Sequence, residues 1–282
     1  MSVDQLARSG MTARRLLLRR FGFALVLLVL MAPVLFVVYY AVSMSLKSRL
    51  DIINPQFQWV FTPTLDNYRA ALEQDFLRFA LNSTVVAAGS VGIGLMVGLP
   101  AAYAIARLRK ANLGTVILAA RVTPGIAFLV PYFFIFSRVG WLDTWRALVV
   151  THLVITIPLI TWLMIAFFED LPIELEESAF VDGATRITTF VRIVLPLTKG
   201  GVATVSLLAF IASWNNFLFA LALSGTNSAT LPAAAVRFIQ YETVNWGSLS
   251  AAAVIMAVPV VIVALAMQRQ LVSGLAMGSV KG

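Results

Sequence analysis

Six stretches of this chain run far enough with at most one formal charge to cross a bilayer, and few folds can accommodate them. Crossing a hydrocarbon core of about 30 Å takes about 20 residues of helix. The stretches are Phe21–Leu46, Phe79–Ala106, Leu113–Ser137 (broken once, by Arg121), Ala147–Phe168, Val202–Ser224 and Ser248–Gln268. Composition agrees: 60% of residues are hydrophobic and 12% charged, against about 25% charged in soluble domains. The expectation is one all-α transmembrane domain of six helices over residues 21–268, between a basic tail (1–20) and a short C-terminal tail (269–282).

Six spans put both termini on one side, and Lys and Arg choose the side. With the tails cytoplasmic, the inner segments hold thirteen bases: Arg8, Arg14, Arg15, Arg19, Arg20, Arg107, Arg109, Lys110, Arg186, Arg192, Lys199, Arg269 and Lys281. The outer segments hold seven: Lys47, Arg49, Arg69, Arg78, Arg138, Arg146 and Arg237. Both termini are therefore expected in the cytoplasm. The net charge of +8 follows from this asymmetry and from contact with anionic lipid; no aromatic-interleaved basic patch points to nucleic acid. The first apolar run is too long for a signal-peptide core and is expected to stay in the protein. With no cysteine, disulfides and thiolate chemistry are excluded.

Several kinds of chemistry are missing. No Gly-Lys pair occurs, so there is no phosphate-cradling G-x-x-x-x-G-K-[ST] loop, and nucleotide hydrolysis must come from another chain. The single histidine, His152, has no acidic neighbour, which points to packing before metal binding or proton relay. The six runs contain no Asp or Glu, unlike typical proton- or sodium-coupled carriers. Arg121 is the one charge at depth; it either snorkels or pairs with carbonyls freed near Pro124, or it lines a solute path. The shortest connection, Arg107–Asn112, makes the second and third spans expected antiparallel neighbours. On the outer side, Lys47–Arg78 carries Pro55, Pro63, Trp59 and Tyr68 and reads as a lip.

Between the fourth and fifth runs, residues 170–199 are charged and hinged on glycine. From Pro172 a helix is expected, with Glu174, Glu176 and Glu177 complementing its positive start. Gly183 can take the positive φ that ends it. A second helix is expected near Thr185, with Ile187, Phe190, Val191 and Val194 on one apolar face and Pro196 marking the turn into the fifth span. Two short helices joined at glycine make a rigid knob. Its outward groups, a few acids with Ala179 and Phe180, suit a groove on a soluble partner; an amphipathic helix lying on lipid fits the same pattern.

The stretch "ESAFVDGATRITTFVRIVLP" resembles the EAA loop of ABC importer permeases, E-A-A-x-x-x-G with I-x-L-P further on, matched by Glu177, Ala179, Gly183, Ile193, Leu195 and Pro196. "ALNSTVVAAGS", "PAAYAIARLR", "GWLDTW", "FIASWNNFLFALALS" and "QRQLVSGLAMGSVKG" are similar to carbohydrate-uptake permeases of the maltose type, the shorter six-span subunit. The resemblance runs from about the first span to Gly282 and implies a type I importer half-channel, not an enzyme. It implies a second permease, two ATPase subunits that hydrolyse ATP with Mg, an extracytoplasmic solute-binding protein and a bacterial or archaeal cytoplasmic membrane, with no cofactor or metal held by this chain.

By the same resemblance Glu177, Ser178, Ala179, Phe180, Asp182, Gly183 and Ala184 form the coupling helix seated in the ATPase, and Ser279, Val280, Lys281 and Gly282 reach toward it. The segment Gly225–Trp246 matches the loop that meets the binding protein. Trp214, Asn215 and Asn216, with Arg121, are candidates for the solute path, since an aromatic face and amides suit a sugar ring. Ser178 replaces the usual alanine and Asn216 a frequent acid. The implied solute is a sugar or similar polyhydroxylated molecule. Permeases for polyamines, phosphate esters or amino acids share the EAA loop, and a secondary carrier is the rival of another class.

Overall fold

The computed structural model describes residues 3–54, 59–108, 111–239 and 244–279. Among them the chain is helical throughout, with one isolated bridge between Ile239 and Val244. The order is α1 (Val3–Leu46), short α2 (Arg49–Ile53) and α3 (Asp66–Glu73), α4 (Phe76–Leu108), α5 (Ala111–Val122), α6 (Ile126–Arg138) and α7 (Trp145–Glu169). Next come α8 (Glu174–Val181), α9 (Arg186–Thr189), a π-helical turn at Phe190–Val194, α10 (Leu195–Leu197), α11 (Lys199–Trp214), α12 (Leu218–Leu223), α13 (Leu231–Ala235) and α14 (Trp246–Ser279).

Among the described residues four helices are long and apolar enough to span, Arg19–Leu46 of α1, α4, α7 and Trp246–Gln268 of α14, or five if the bent pair Arg186–Leu197 and Lys199–Trp214 is one span, where six were expected. The third and fifth expected spans differ from the reading of continuous runs. The third is split into α5 and α6 by Thr123, Pro124 and Gly125, because proline withholds its N–H and its predecessor avoids helical angles. The fifth ends as α11 after 16 residues, about 24 Å of rise, and resumes as α12. A 79° bend separates Arg186–Leu197 from Lys199–Trp214. The turn into the fifth span therefore falls at Thr198, two residues beyond Pro196, which sits within the first turn of α10.

The core is the α4–α7 pair. Gly94 and Gly98, four residues apart, open the surface of α4: a β-carbon built on either would lie 2.9 Å from Ile160 of α7. Small residues at this spacing let helix backbones approach closely where no water drives them together. α11 lies across both, and a cluster of Leu99, Ala102, Ala106, Ile160, Met164, Phe168, Val194 and Val205 fills the junction. A second cluster, with Phe76, Phe79, Trp214, Leu231 and Phe238, ties α13 and α14 to the start of α4. A third joins α6 and α12 to α7 through Phe136, Leu148 and Phe219. α5 leans chiefly on α7, with a smaller contact to α4, so the short connection after α4 does not make those two helices the main neighbours.

The body of α1 from Phe21 to Tyr40 is exposed in this chain, while Ser43–Ser45 and Lys47 at its end are buried. Asn67 caps this end by donating Nδ2 to the carbonyls of Ser45 (3.0 Å) and Lys47 (2.8 Å). Tyr68 Oη meets Ser45 Oγ at 2.8 Å, and Trp59 stacks on Tyr39 at 6.0 Å. The lip residues Trp59 and Tyr68 thus fasten the end of the first span; Pro55 lies outside the described residues.

Candidate functional site: a charged knob and an opposite latch

α8 begins with Glu174, Glu176 and Glu177 in its first turn, where carboxylates meet the positive helix end. It stops in a Schellman arrangement: Ala184 N–H donates to Ala179 O (2.9 Å) and Gly183 N–H to Phe180 O (3.0 Å). Gly183 takes φ +82°, a conformation that costs a residue with a β-carbon about 1–2 kcal/mol. Thr185 then caps α9, its Oγ1 accepting from Thr188 N–H at 3.2 Å. The two-helix knob expected from the sequence is present.

Its faces differ from expectation in two places. Ala179 is buried, so the outward groups are Glu177, Ser178, Phe180, Val181 and Asp182. Ala184 is half-buried. The apolar face assigned to Ile187, Phe190, Val191 and Val194 is divided: Val194 is buried and Phe190 half-buried, while Ile187 and Val191 are exposed. A π-helical turn at Phe190–Val194 runs through this face, with wider winding than a regular helix.

Glu176 is the residue the sequence pattern did not single out. It is 3% exposed. Its Oε2 accepts from Tyr103 Oη at 2.5 Å, its Oε1 accepts from Arg107 Nε at 2.7 Å, and Arg107 Nη2 lies 2.6 Å from the same oxygen. Tyr103 and Arg107 are one turn apart near the end of α4. The Tyr103 ring also lies 4.9 Å from Phe190 and 5.8 Å from Phe168. Four elements, α4, α7, α8 and the π turn, therefore meet around Tyr103. The acids of a helix start look alike in sequence; the available signal was Tyr103 and Arg107 at i, i+4 in "PAAYAIARLR".

At the other end of α7, Asp143 organises the segment after α12. Its backbone is left-handed (φ +57°), and its N–H donates to Leu223 O at 2.9 Å. The carboxylate accepts from Gly225 N–H (2.7 Å), Ser228 N–H and Oγ (2.8 Å each), Asn227 Nδ2 (2.9 Å) and Asn227 N–H (3.1 Å). Burial pushes this carboxyl up, but the N–H and hydroxyl donors outweigh it and hold it down at about 2. Asn82 continues the fastening: its Nδ2 donates to the carbonyls of Asn227 (3.0 Å) and Ala229 (2.8 Å), and its Oδ1 accepts from Trp145 Nε1 (2.8 Å). Ser83 Oγ accepts from Leu231 N–H at 2.8 Å.

The candidates for a solute path are scattered. Trp214 is buried, stacked on Phe210 at 5.5 Å, and donates Nε1 to Met256 O at 3.2 Å, so it builds the core and offers no free ring face here. Asn216 Oδ1 accepts from Phe219 N–H at 3.2 Å, capping the start of α12. Asn215 ends α11 with its side chain exposed. Arg121 stands in α5, but its side chain lies outside the described residues, as does that of Ser279. Val280, Lys281 and Gly282 lie outside them altogether. His152 is buried with Nδ1 2.7 Å from Ser213 Oγ, which in turn is 3.0 Å from Ser90 Oγ. No group of three or more potential metal ligands occurs among the described residues.

The described residues form an all-helical bundle with long apolar helices and a charged two-helix knob at one end. The chain belongs to the family described as binding-protein-dependent transport system inner membrane component, whose model matches residues 91–276. It is 38% identical over 250 residues to a probable ABC transporter permease protein, y4oR, of Sinorhizobium fredii, covering 88% of this chain and 90% of that one. It is 36% identical to the trehalose transport system permease protein SugB of Mycobacterium tuberculosis, covering 78% and 83%. The fold is that of a subunit of a bacterial ABC transporter involved in import of the acidic polysaccharide alginate, with a TM-score of 0.69 over 96% of this chain and 99% of that one at 22% identity. The protein is thus a multi-pass inner-membrane ABC importer permease and not an enzyme.

Proposed function

We propose that this chain forms half of the translocation path of an ATP-driven, binding-protein-dependent importer for a sugar or similar polyhydroxylated solute. The observation that carries the reading is the exposed acidic face of α8, ended by left-handed Gly183 and held to the bundle on its opposite face. The trehalose permease among its relatives supports a sugar as the solute.

In this reading α8 seats in a cleft of an ATPase subunit, which hydrolyses ATP with Mg; the chain itself holds no cofactor. Closure of two ATPase subunits moves α8, and the bundle passes between inward- and outward-facing states. Nucleotide shifts that equilibrium only by its differential contacts with the two states, so α8 must meet the ATPase differently in each. A second, different permease completes the path, and α1, exposed from Phe21 to Tyr40, faces lipid and that partner. Both termini lie in the cytoplasm, the segment fastened by Asp143 faces the solute-binding protein, and Ser279–Gly282 reach toward the ATPase. Asn215 is the amide left open to solute.

The test is uptake by the reconstituted importer of labelled disaccharide, polyamine and amino acid, with and without ATP and binding protein. ATP- and binding-protein-dependent sugar uptake is the expected result. Uptake driven by a proton or sodium gradient in the absence of ATP contradicts it.

A further inference from the structure

We infer that Glu176, Tyr103 and Arg107 act as a clamp that makes α8 and the end of α4 one rigid body, so that displacement of α8 moves α4 directly. The inference rests on the importer reading for the source of the displacement, and on geometry for the route.

The route matters because both covalent paths out of α8 are soft: backward, the non-helical residues 170–173 separate it from α7. Following the chain, a push on α8 must pass a glycine with φ +82°, a π-helical turn and a 79° bend before it reaches α11. π-helical turns and non-helical links are where helices flex. The clamp bypasses all three. Glu176 accepts from two side chains of α4, at 2.5 and 2.7 Å, and the pair is desolvated, with side-chain exposures of 17% for Arg107 and 5% for Glu176. The Arg107 guanidinium also lies 5.8 Å from the centre of the Tyr103 ring. α4 in turn is wedged against α7 at Gly94 and Gly98, so movement of its end reaches the central helix pair.

Burial separates this role from docking. Glu176 is buried within this chain, whereas Glu177, one residue on, is exposed. Arg107 also borders a cavity of about 540 Å³ that carries Glu169 and Glu174. Neutralising Glu176 leaves those carboxylates as alternative partners, so the Arg107 side chain can turn away and release α8. Glu176, Tyr103 and Arg107 are positioning residues and touch no solute or nucleotide.

The test uses the assembled importer with its ATPase and binding protein, as wild type, Glu176→Gln, Tyr103→Phe, and the exchanged pair Glu176→Arg with Arg107→Glu. Co-purified ATPase, ATP hydrolysis and solute moved per ATP are measured on each. The chain has no cysteine, so Leu108→Cys and Leu175→Cys, at exposed positions on α4 and α8 away from the outward groups that meet the ATPase, take spin labels whose separation is read with and without ATP.

The clamp predicts an unchanged separation in the wild type through the nucleotide cycle. In Glu176→Gln the ATPase stays bound and hydrolyses ATP, solute moved per ATP falls about tenfold, and the separation becomes nucleotide-dependent. Tyr103→Phe gives a smaller loss in the same direction, and the exchanged pair recovers part of it. A wild-type separation that changes with nucleotide overturns the clamp. So does unchanged uptake per ATP in Glu176→Gln, and so does loss of the ATPase from that variant, which would make Glu176 a docking residue. A wild type that brings no ATPase sinks the importer reading itself, and the clamp's role in coupling with it.

Discussion

Two partly or fully buried carboxylates, Asp143 and Glu176, stand at opposite ends of α7 and are satisfied in opposite ways. Asp143 accepts from the N–H groups and side chains of Gly225, Asn227 and Ser228, all in one short stretch. Glu176 accepts from Tyr103 and Arg107, side chains of another helix. Backbone donors shape a loop and hold it in one form; an ion pair between helices joins two bodies that could otherwise move apart. On the coupling proposed above, the Asp143 end is a fixed surface and the Glu176 end a lever.

The sharpest way to break this comparison is Arg107→Ala. It leaves Glu176 buried without its counter-charge, and destabilisation of about 3–5 kcal/mol is expected, seen as a lower melting temperature in detergent. A change within experimental error would mean that water already reaches the pair. Asp143→Ala comes next. Its cost is about 1–3 kcal/mol and local, because the freed donors belong to one loop. Hydrogen exchange should quicken at Gly225, Asn227 and Ser228 while the spans keep their protection; uniform loss of protection would show that Asp143 holds the bundle as well.

Gly183→Ala is smaller, about 1–2 kcal/mol. No atom lies within 4 Å of the position where its β-carbon would stand, so only the backbone angle opposes it. Gly183→Pro also removes the N–H that bonds Phe180 O, and should reduce uptake per ATP without unfolding the spans; unaltered uptake would show that the helix stop is dispensable.

The pH response completes the series. The Asp143 carboxyl is held below its ordinary value, at about 2, so its contribution is fully present above the unfolded value near 3.8 and is lost as pH falls through about 2. Loop protection should be flat from neutral pH down to about 4.5 and fall only in stronger acid. A loss near pH 6 would point to a different titrating group.

Much of the knob was legible because its signals are local. A glycine after an acidic turn, a threonine before the next helix and fixed spacing to Pro196 give the stop, the restart and the approach to the membrane. What stayed hidden depends on partners distant in sequence. Nothing near Glu176 distinguishes it from Glu174 or Glu177 until Tyr103 and Arg107, about 70 residues earlier, are brought beside it. Asp143 likewise meets donors more than 80 residues away. Hydropathy marked the third and fifth apolar runs but not their breaks, since apolar content does not register how proline at 124 or the amides at 215 and 216 interrupt a helix. Trp214 carried the chemistry of a sugar platform, and packing against Phe210 and Met256 decided its place instead.

The central claim is that an ATP-hydrolysing partner acts on this chain through the exposed face of α8. Its most direct test is purification of the intact chain from detergent beside a Glu177→Lys, Gly183→Pro variant, with co-purifying proteins identified by mass spectrometry. The account predicts an ATPase and a second permease with the wild type, and loss of the ATPase alone from the variant. A wild type that purifies by itself and still moves solute in vesicles without ATP would contradict it.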